Sequence, residues 1–335
     1  MNSTYQRIVL AQRPQGELRE EDLRLETCAT ADLLNLDEGQ VLVRNQFLSI
    51  DPYMRVRMDD VKNYAPPQAL GATMIGGTVG VVVASRSPDF KEGDSVAGML
   101  GWTEMGVISA SLLRKLNPQV PSLSLYLGVL GMPGVTAWYG VNKILNPQAG
   151  QTVLISAAAG AVGSLVGQLA KLRDCRVLGI AGGRHKTEFL CNELGFDAAI
   201  DYKIKDWECE LIAATESGVD ALFENVGGLV FDAALARLNP HAKIALCGMI
   251  SRYQADDVPL KNARYLLSMR ANLQAFIITE HLDIWPQAQA EMLELLKAGK
   301  VCYQETIAQG LPSAPQALMG LLKGENLGKQ IVQLY

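Results

Sequence analysis

The stretch from residue 151 to 186, QTVLISAAAGAVGSLVGQLAKLRDCRVLGIAGGRHK, limits what this chain can fold into more than any other. Its start carries the apolar run Val153–Leu154–Ile155, short enough for a strand buried on both faces of a parallel sheet. Ala158–Ala159–Gly160–Ala161–Val162–Gly163 follows as an A-x-G-x-x-G form of the dinucleotide turn. Glycine there lets the backbone approach a pyrophosphate and lets the next helix pack close to the strand. Ala161, Val162, Leu165, Val166, Leu169 and Leu172 give that helix one apolar face. Its N-terminus offers free N–H groups and a positive dipole end to the pyrophosphate. Val153–Ala170 is also an uncharged run of 18 residues. Its three glycines, two serines and one glutamine make it a strand–turn–helix unit rather than a membrane span.

The second half of the stretch bears on the cofactor. Arg176–Ala181 reads as the next parallel strand. A site for NAD places Asp or Glu at its end, about 20 residues past the glycines, to bond the ribose 2′-hydroxyl. This chain instead has Gly182–Gly183–Arg184–His185–Lys186, with no carboxylate before Glu188. Two cations and an imidazole suit a 2′-phosphate, so NADP(H) is expected.

The 335 residues suffice for two domains, and 49% hydrophobic with 19% charged residues is a globular balance. A net charge of −5 argues against a general binder of nucleic acid or anionic membranes. Six cysteines with no C-x-x-C spacing read as reduced thiols of a cytoplasmic protein. The N-terminal residues MNSTYQRIVLAQRPQGELREED hold no apolar signal core.

To about residue 125 the pattern is β-rich. Gln40–Ile50 alternates apolar and polar positions, Gly76–Ala84 and Ser95–Met99 read as further strands, and a small barrel is expected. From about residue 130 strands (153–156, 176–181, 198–201, 219–225, 243–248) alternate with helices (161–172, 185–194, 205–215, 229–238). That alternation is the mark of a doubly wound parallel sheet, which binds ligands off the carboxyl ends of its strands. Residues 259–298 read as helix-rich. The tail carries a strand-like start at 301, a helix at Ser313–Leu322 and a strand at Gln330–Leu334.

Several other residues are candidates for chemistry, each with a plainer reading beside it. Asn225 ends a strand before Val226–Gly227–Gly228; its amide could meet a nicotinamide carboxamide or simply serve the turn. Tyr253, after the next strand, could donate to a substrate oxygen or merely pack its ring. Tyr53 and Arg55 follow Asp51–Pro52 and could line a substrate cleft or form a turn with an Asp–Arg pair. Thr136 could touch a cofactor or belong to a structural turn. The histidines, 185, 241 and 281, have no zinc-like spacing, so no metal is expected, and no G-x-S-x-G elbow suggests a hydrolase.

Taken together, DPYMR (51–55), GMPGVTAWYG (131–140), SAAAGAVGSLVGQLAK (156–171), GFDAAIDYK (195–203), FENVGG (223–228), CGMISRY (247–253) and GENLGKQIV (324–332) resemble the zinc-free branch of the medium-chain dehydrogenase/reductase superfamily. The nearest likeness is to its prostaglandin reductase and bacterial curcumin reductase group. The resemblance implies an α/β fold, a Rossmann parallel sheet over 128–302, with a discontinuous GroES-like β-barrel from 1–127 and 303–335. It implies NADP(H) contacts from Gly160, Ala161, Val162, Gly163, Gly183, Arg184, Lys186, Tyr202, Asn225, Cys247, Asn326 and Thr136. It also implies a substrate cleft with Tyr53, Arg55 and Tyr253, the last a catalytic acid, and a homodimer with no nucleic-acid or membrane partner. The loop GGRHK departs from relatives that often carry a serine or acidic residue before the lysine, and Glu224 stands where they often have Asp. The expected activity is NADPH-dependent reduction of the carbon–carbon double bond of an enone or enal. The rivals are a quinone reductase of the same superfamily, a zinc alcohol dehydrogenase, a methyltransferase, and a non-catalytic nucleotide-sensing or nucleic-acid-binding protein.

Overall fold

A computed structural model describes residues 3–254 and 258–335. The chain forms two compact units, Met1–Leu127 with Glu305–Tyr335, and Gly128–Gln304. In chain order the first contains β1 (Thr4–Leu10), β2 (Leu23–Ala29), β3 (Gln40–Ser49), α1 (Tyr53–Arg57), β4 (Thr78–Ser85), β5 (Ser95–Gly98), β6 (Met105–Ser109) and β7 (Arg114–Lys115). The second contains α2 (Met132–Tyr139), β8 (Thr152–Ser156), α3 (Gly163–Lys171), β9 (Arg176–Ala181), α4 (Arg184–Asn192), β10 (Ala198–Asp201), α5 (Trp207–Ala214) and β11 (Val219–Glu224). It continues through α6 (Gly228–Leu235), β12 (Leu238–Leu246), α7 (Arg264–Ser268), β13 (Asn272–Ala275) and α8 (Trp285–Lys297). The tail returns to the first unit as β14 (Glu305–Gln309), α9 (Ala314–Leu322) and β15 (Lys329–Gln333).

In the first unit, the GroES-like β domain, β3 is the hub. It pairs with β4 along most of its length, with β6 through Gln40–Arg44 and with β15 through Phe47–Ser49. The alternation expected over 40–50 gives way at Val41, Leu42 and Val43, all fully buried. Both faces of this strand are covered: Val41 and Val43 pack with Val82 and Val96, while Leu42 packs with Leu36 and Met105. A third cluster joins Ile8, Leu48, Met54, Trp102 and Val332. Here the tail is locked in by charge as well as by packing. The Lys329 ammonium donates to Ile50 O (2.6 Å), Asp51 Oδ1 (2.9 Å) and Gln330 O (3.0 Å). The other Asp51 oxygen accepts from the Ser49 hydroxyl.

The second unit holds six parallel strands in the order β10-β9-β8-β11-β12-β13. Sequence order therefore reverses between β8 and β11, the switch point at which such sheets bind nucleotides. The apolar runs read from the sequence are the central strands, with every residue of β8 buried. The long uncharged run over 153–170 is β8, its turn and most of α3. Among the described residues no helix is long and apolar enough to cross a membrane.

Element ends shift by a few residues from the sequence pattern, and β12 begins at Leu238 rather than 243. Helix α6 stops at Leu235 rather than 238, because Leu238 already pairs with Val219 as the first residue of β12. The stretch 259–298 is not wholly helical: β13 lies within it, parallel to β12. All four residues of β13 are exposed, so it carries no apolar run to announce it.

Candidate cofactor and active site

The turn after β8 is shaped by close approach. Ala157 sits in the left-handed region at φ 47°, and a methyl group on Gly163 would stand 2.5 Å from Ala157 O and 2.8 Å from Ala158 Cα. Only glycine lets α3 start this near the strand. Gly160 is less confined, its added methyl group meeting Ala157 O at 3.2 Å. Among the described residues the N–H groups of Ala161, Val162 and Gly163 find no backbone or side-chain acceptor. They are the orphan donors of a helix start, suited to an anion.

The end of β9 builds the second part. Gly183, at φ 96°, donates its N–H to Asp201 Oδ1 at 2.7 Å and precedes α4. Parallel pairing sets Asp201 beside Ala181, so Tyr202 and Lys203 fall beside the glycines. A methyl group on Gly182 would meet both of their side chains at 2.9 Å. The Lys186 ammonium is pushed down from its ordinary range by burial and then by the Lys203 charge. The Tyr202 phenol is pushed up by burial and then by Asp201. Half-buried Lys186 and exposed Lys203 thus bring two like charges together, an arrangement that a bound anion would favour. Arg184 turns outward instead, its side chain 89% exposed and paired with Glu188 at 2.7 Å. Lys203 was not selected from the sequence. The signal for it was the register of β10 on β9, which carries the residues after Asp201 to the loop after Ala181.

Asn225, Cys247 and Tyr253 come together across the switch point. Asn225 donates its N–H to Ser156 Oγ (2.7 Å) and its Nδ2 to Ser156 O (2.8 Å), tying β11 to β8. Its carbonyl accepts from Ile250 N–H at 3.1 Å. An added methyl group on Gly248 would lie 3.4 Å from Asn225 O and 3.5 Å from Tyr253 Oη, so the phenol stands beside that turn. Burial, and then Glu224, pushes the Cys247 thiol up to about 12, which keeps it a thiol.

The remaining candidates are held by other elements. Thr136 is buried in α2, and its hydroxyl donates to Met132 O at 2.7 Å. Asn326 belongs to the first unit and donates Nδ2 to Gly328 O at 2.8 Å. Tyr53 opens α1 in that unit; burial, then Asp51 and Tyr64, push its phenol well up, while Arg57 pulls the other way. Arg55 is 3% exposed, its two terminal nitrogens bonded at 2.7 Å to Asp59 and to Gly16 O. Among the described residues no group of three or more His, Cys, Asp or Glu side chains is placed to hold a metal ion.

Comparison with known proteins agrees with this architecture. Residues 6–116 match a family described as the N-terminal domain of oxidoreductase, and 161–298 match one described as zinc-binding dehydrogenase. The chain is 44% identical to the NADPH-dependent curcumin reductase of Escherichia coli, over 98% of this chain and 96% of that protein. It is 39% identical to the NADP-dependent 2-alkenal reductase of Nicotiana tabacum, over 98% and 96%. The crystal structure of CurA from Vibrio vulnificus in complex with NADPH superposes with a TM-score of 0.92 at 42% identity, covering 98% and 99%. With whole-length relatives at this identity, the chain belongs to the zinc-free branch of the medium-chain dehydrogenase/reductase superfamily, in the group of the curcumin and alkenal reductases.

Proposed function

We propose that the chain is an NADPH-dependent reductase of the carbon–carbon double bond in α,β-unsaturated ketones and aldehydes. The observation that carries this is the pairing of Lys186 with Lys203 on the same sheet edge as the orphan N–H groups of Ala161–Gly163. Together they suit a 2′-phosphate and a pyrophosphate. Likeness to proteins named curcumin reductase and 2-alkenal reductase supports the substrate class.

In this reading the cofactor, when bound, supplies a hydride for the β-carbon of the substrate. Ala161, Val162 and Gly163 would hold the pyrophosphate; Lys186, Tyr202 and Lys203, beside the turn at Gly183, would hold the 2′-phosphate. Asn225 Oδ1, bonded to nothing among the described residues, accepts from the carboxamide. As the β-carbon gains hydride, the carbonyl oxygen gathers enolate charge, and the Tyr253 hydroxyl donates to it. The α-carbon then takes a proton from Tyr253 or solvent. A conjugated carbonyl is its own electron sink, so the residues need to supply only position and one donor.

We also propose a cytoplasmic homodimer. The six thiols are unpaired, as in a reducing compartment. Strand β13 is an edge strand with four exposed residues, flanked by Leu267 at 84% exposure on α7. Such an edge invites pairing with its own copy about a two-fold axis.

The test is NADPH oxidation with an aryl enone, a short enal and a quinone, with product mass measured. Enone and enal should each gain two hydrogens, and Tyr253→Phe should lose about 10²-fold or more in kcat/KM. Faster turnover of the quinone would favour the quinone reductase. Tight NADPH binding without oxidation of any substrate would remove the enzymatic reading.

A further inference from the structure

Glu224 is a fully buried carboxyl group that none of the roles above employs. It ends β11 with no exposed surface. Its Oε1 accepts from Val226 N–H (2.6 Å) and Gly227 N–H (2.7 Å), while Oε2 has no hydrogen-bond partner. Its carbonyl accepts from Cys247 N–H (2.8 Å) and Gly248 N–H (3.2 Å). The two loops it grips are stitched to each other as well. Val226 O accepts from Ser251 N–H (3.0 Å) and the Ser251 hydroxyl (2.6 Å), and Asn225 O from Ile250 N–H (3.1 Å). One residue thus holds both loops, its side chain the loop that carries Asn225 and its backbone carbonyl the loop that carries Tyr253.

The forces on this carboxyl oppose each other. Burial favours the neutral acid; the Gly227, Val226 and Asn225 N–H groups and the Ser156 hydroxyl favour the anion. The Cys247 thiol faces it from the loop after β12. The balance leaves Glu224 titrating at about 7, so both forms are populated at neutral pH. A glutamine would fill the same space and still cap two N–H groups; it would not gain and lose a charge.

We propose that Glu224 is a positioning residue for the reductase: its anion draws in the Val226 and Gly227 N–H groups and so sets Asn225 and the Tyr253 loop for NADPH, and its neutral acid relaxes that hold. This rests on the cofactor reading above. Bonds to a carboxylate are roughly twice as strong as bonds to a neutral acceptor. The anion's two short bonds are therefore the ones that weaken on protonation.

The experiment is fluorescence titration of the full-length protein with NADPH between pH 5.5 and 8.5, for wild type, Glu224→Gln and Glu224→Asp. The wild-type Kd should rise about tenfold as pH falls through the region near 7. Glu224→Gln should lose that inflection and keep only the slope that cofactor and lysines give every variant; Glu224→Asp should restore it at a displaced pH. Parallel curves for wild type and Glu224→Gln overturn the proposal and leave the function intact. No NADPH binding by wild type at any pH overturns both. Where Glu224→Gln fails to fold, as judged by its melting curve, Glu224→Asp decides, an undisplaced inflection being the adverse result.

Discussion

Replacing Lys186 with alanine removes one of two ammonium groups that the loop after β9 and the residues after β10 bring together. Lys203 and burial both work against the Lys186 charge, which a bound phosphate would favour. The loss is read on the NADPH complex. A hydrogen bond to a charged group contributes about 1.5–3 kcal/mol, which is roughly 10- to 150-fold in Kd. Arg184 cannot make up the deficit, because it lies 89% exposed and already pairs with Glu188; a screened rim charge contributes about 1 kcal/mol or less. Fluorescence titration should show the NADPH Kd rising within that range while the NADH Kd stays within about twofold. Lys186→Ala with Lys203→Ala should weaken NADPH further, and the salt dependence of NADPH binding should shrink with each lysine removed. Equal losses for the two cofactors, or no loss for NADPH, would refute the assignment of this pair to the phosphate.

Two further outcomes follow from buried charge and open edge. Lys329→Met strands Asp51 in the interior, where the pair is only 4% and 8% exposed. Breaking such a pair costs about 3–5 kcal/mol, or about 6–20 °C in the melting temperature of a unit this size; a drop below about 3 °C would contradict the role given to the pair. If the proposed homodimer pairs through β13, Leu273→Pro should give a monomer by light scattering while NADPH binding persists, and an unchanged mass would refute that interface.

The parallel sheet was legible because its strands are short apolar runs separated by glycine turns and amphipathic helices, and β8, β9 and β11 fall where that pattern puts them. Strand β13 was not, since Asn272–Leu273–Gln274–Ala275 owes its conformation to pairing with β12 and not to burial. The turn at 158–163 and the loop at 182–186 announce themselves locally. Lys203 could be placed only through a pairing between strands about 20 residues apart. Arg55 shows another limit: a charged residue after a strand reads in sequence as a cleft contact or a turn pair, and its bonds to Asp59 and Gly16 O appear only in the fold. Long-range acceptors of that kind leave no local trace.

The seating of β15 between β14 and β3 has a consequence for how the protein is made. The ribosome delivers β3 long before β15, with Lys329 arriving to meet an Asp51 synthesised 278 positions earlier. The nucleotide-binding unit is complete in sequence before that happens, whereas the β domain keeps an open seam until β15 has been made. Closing that seam is thus the last strand pairing that this domain can complete.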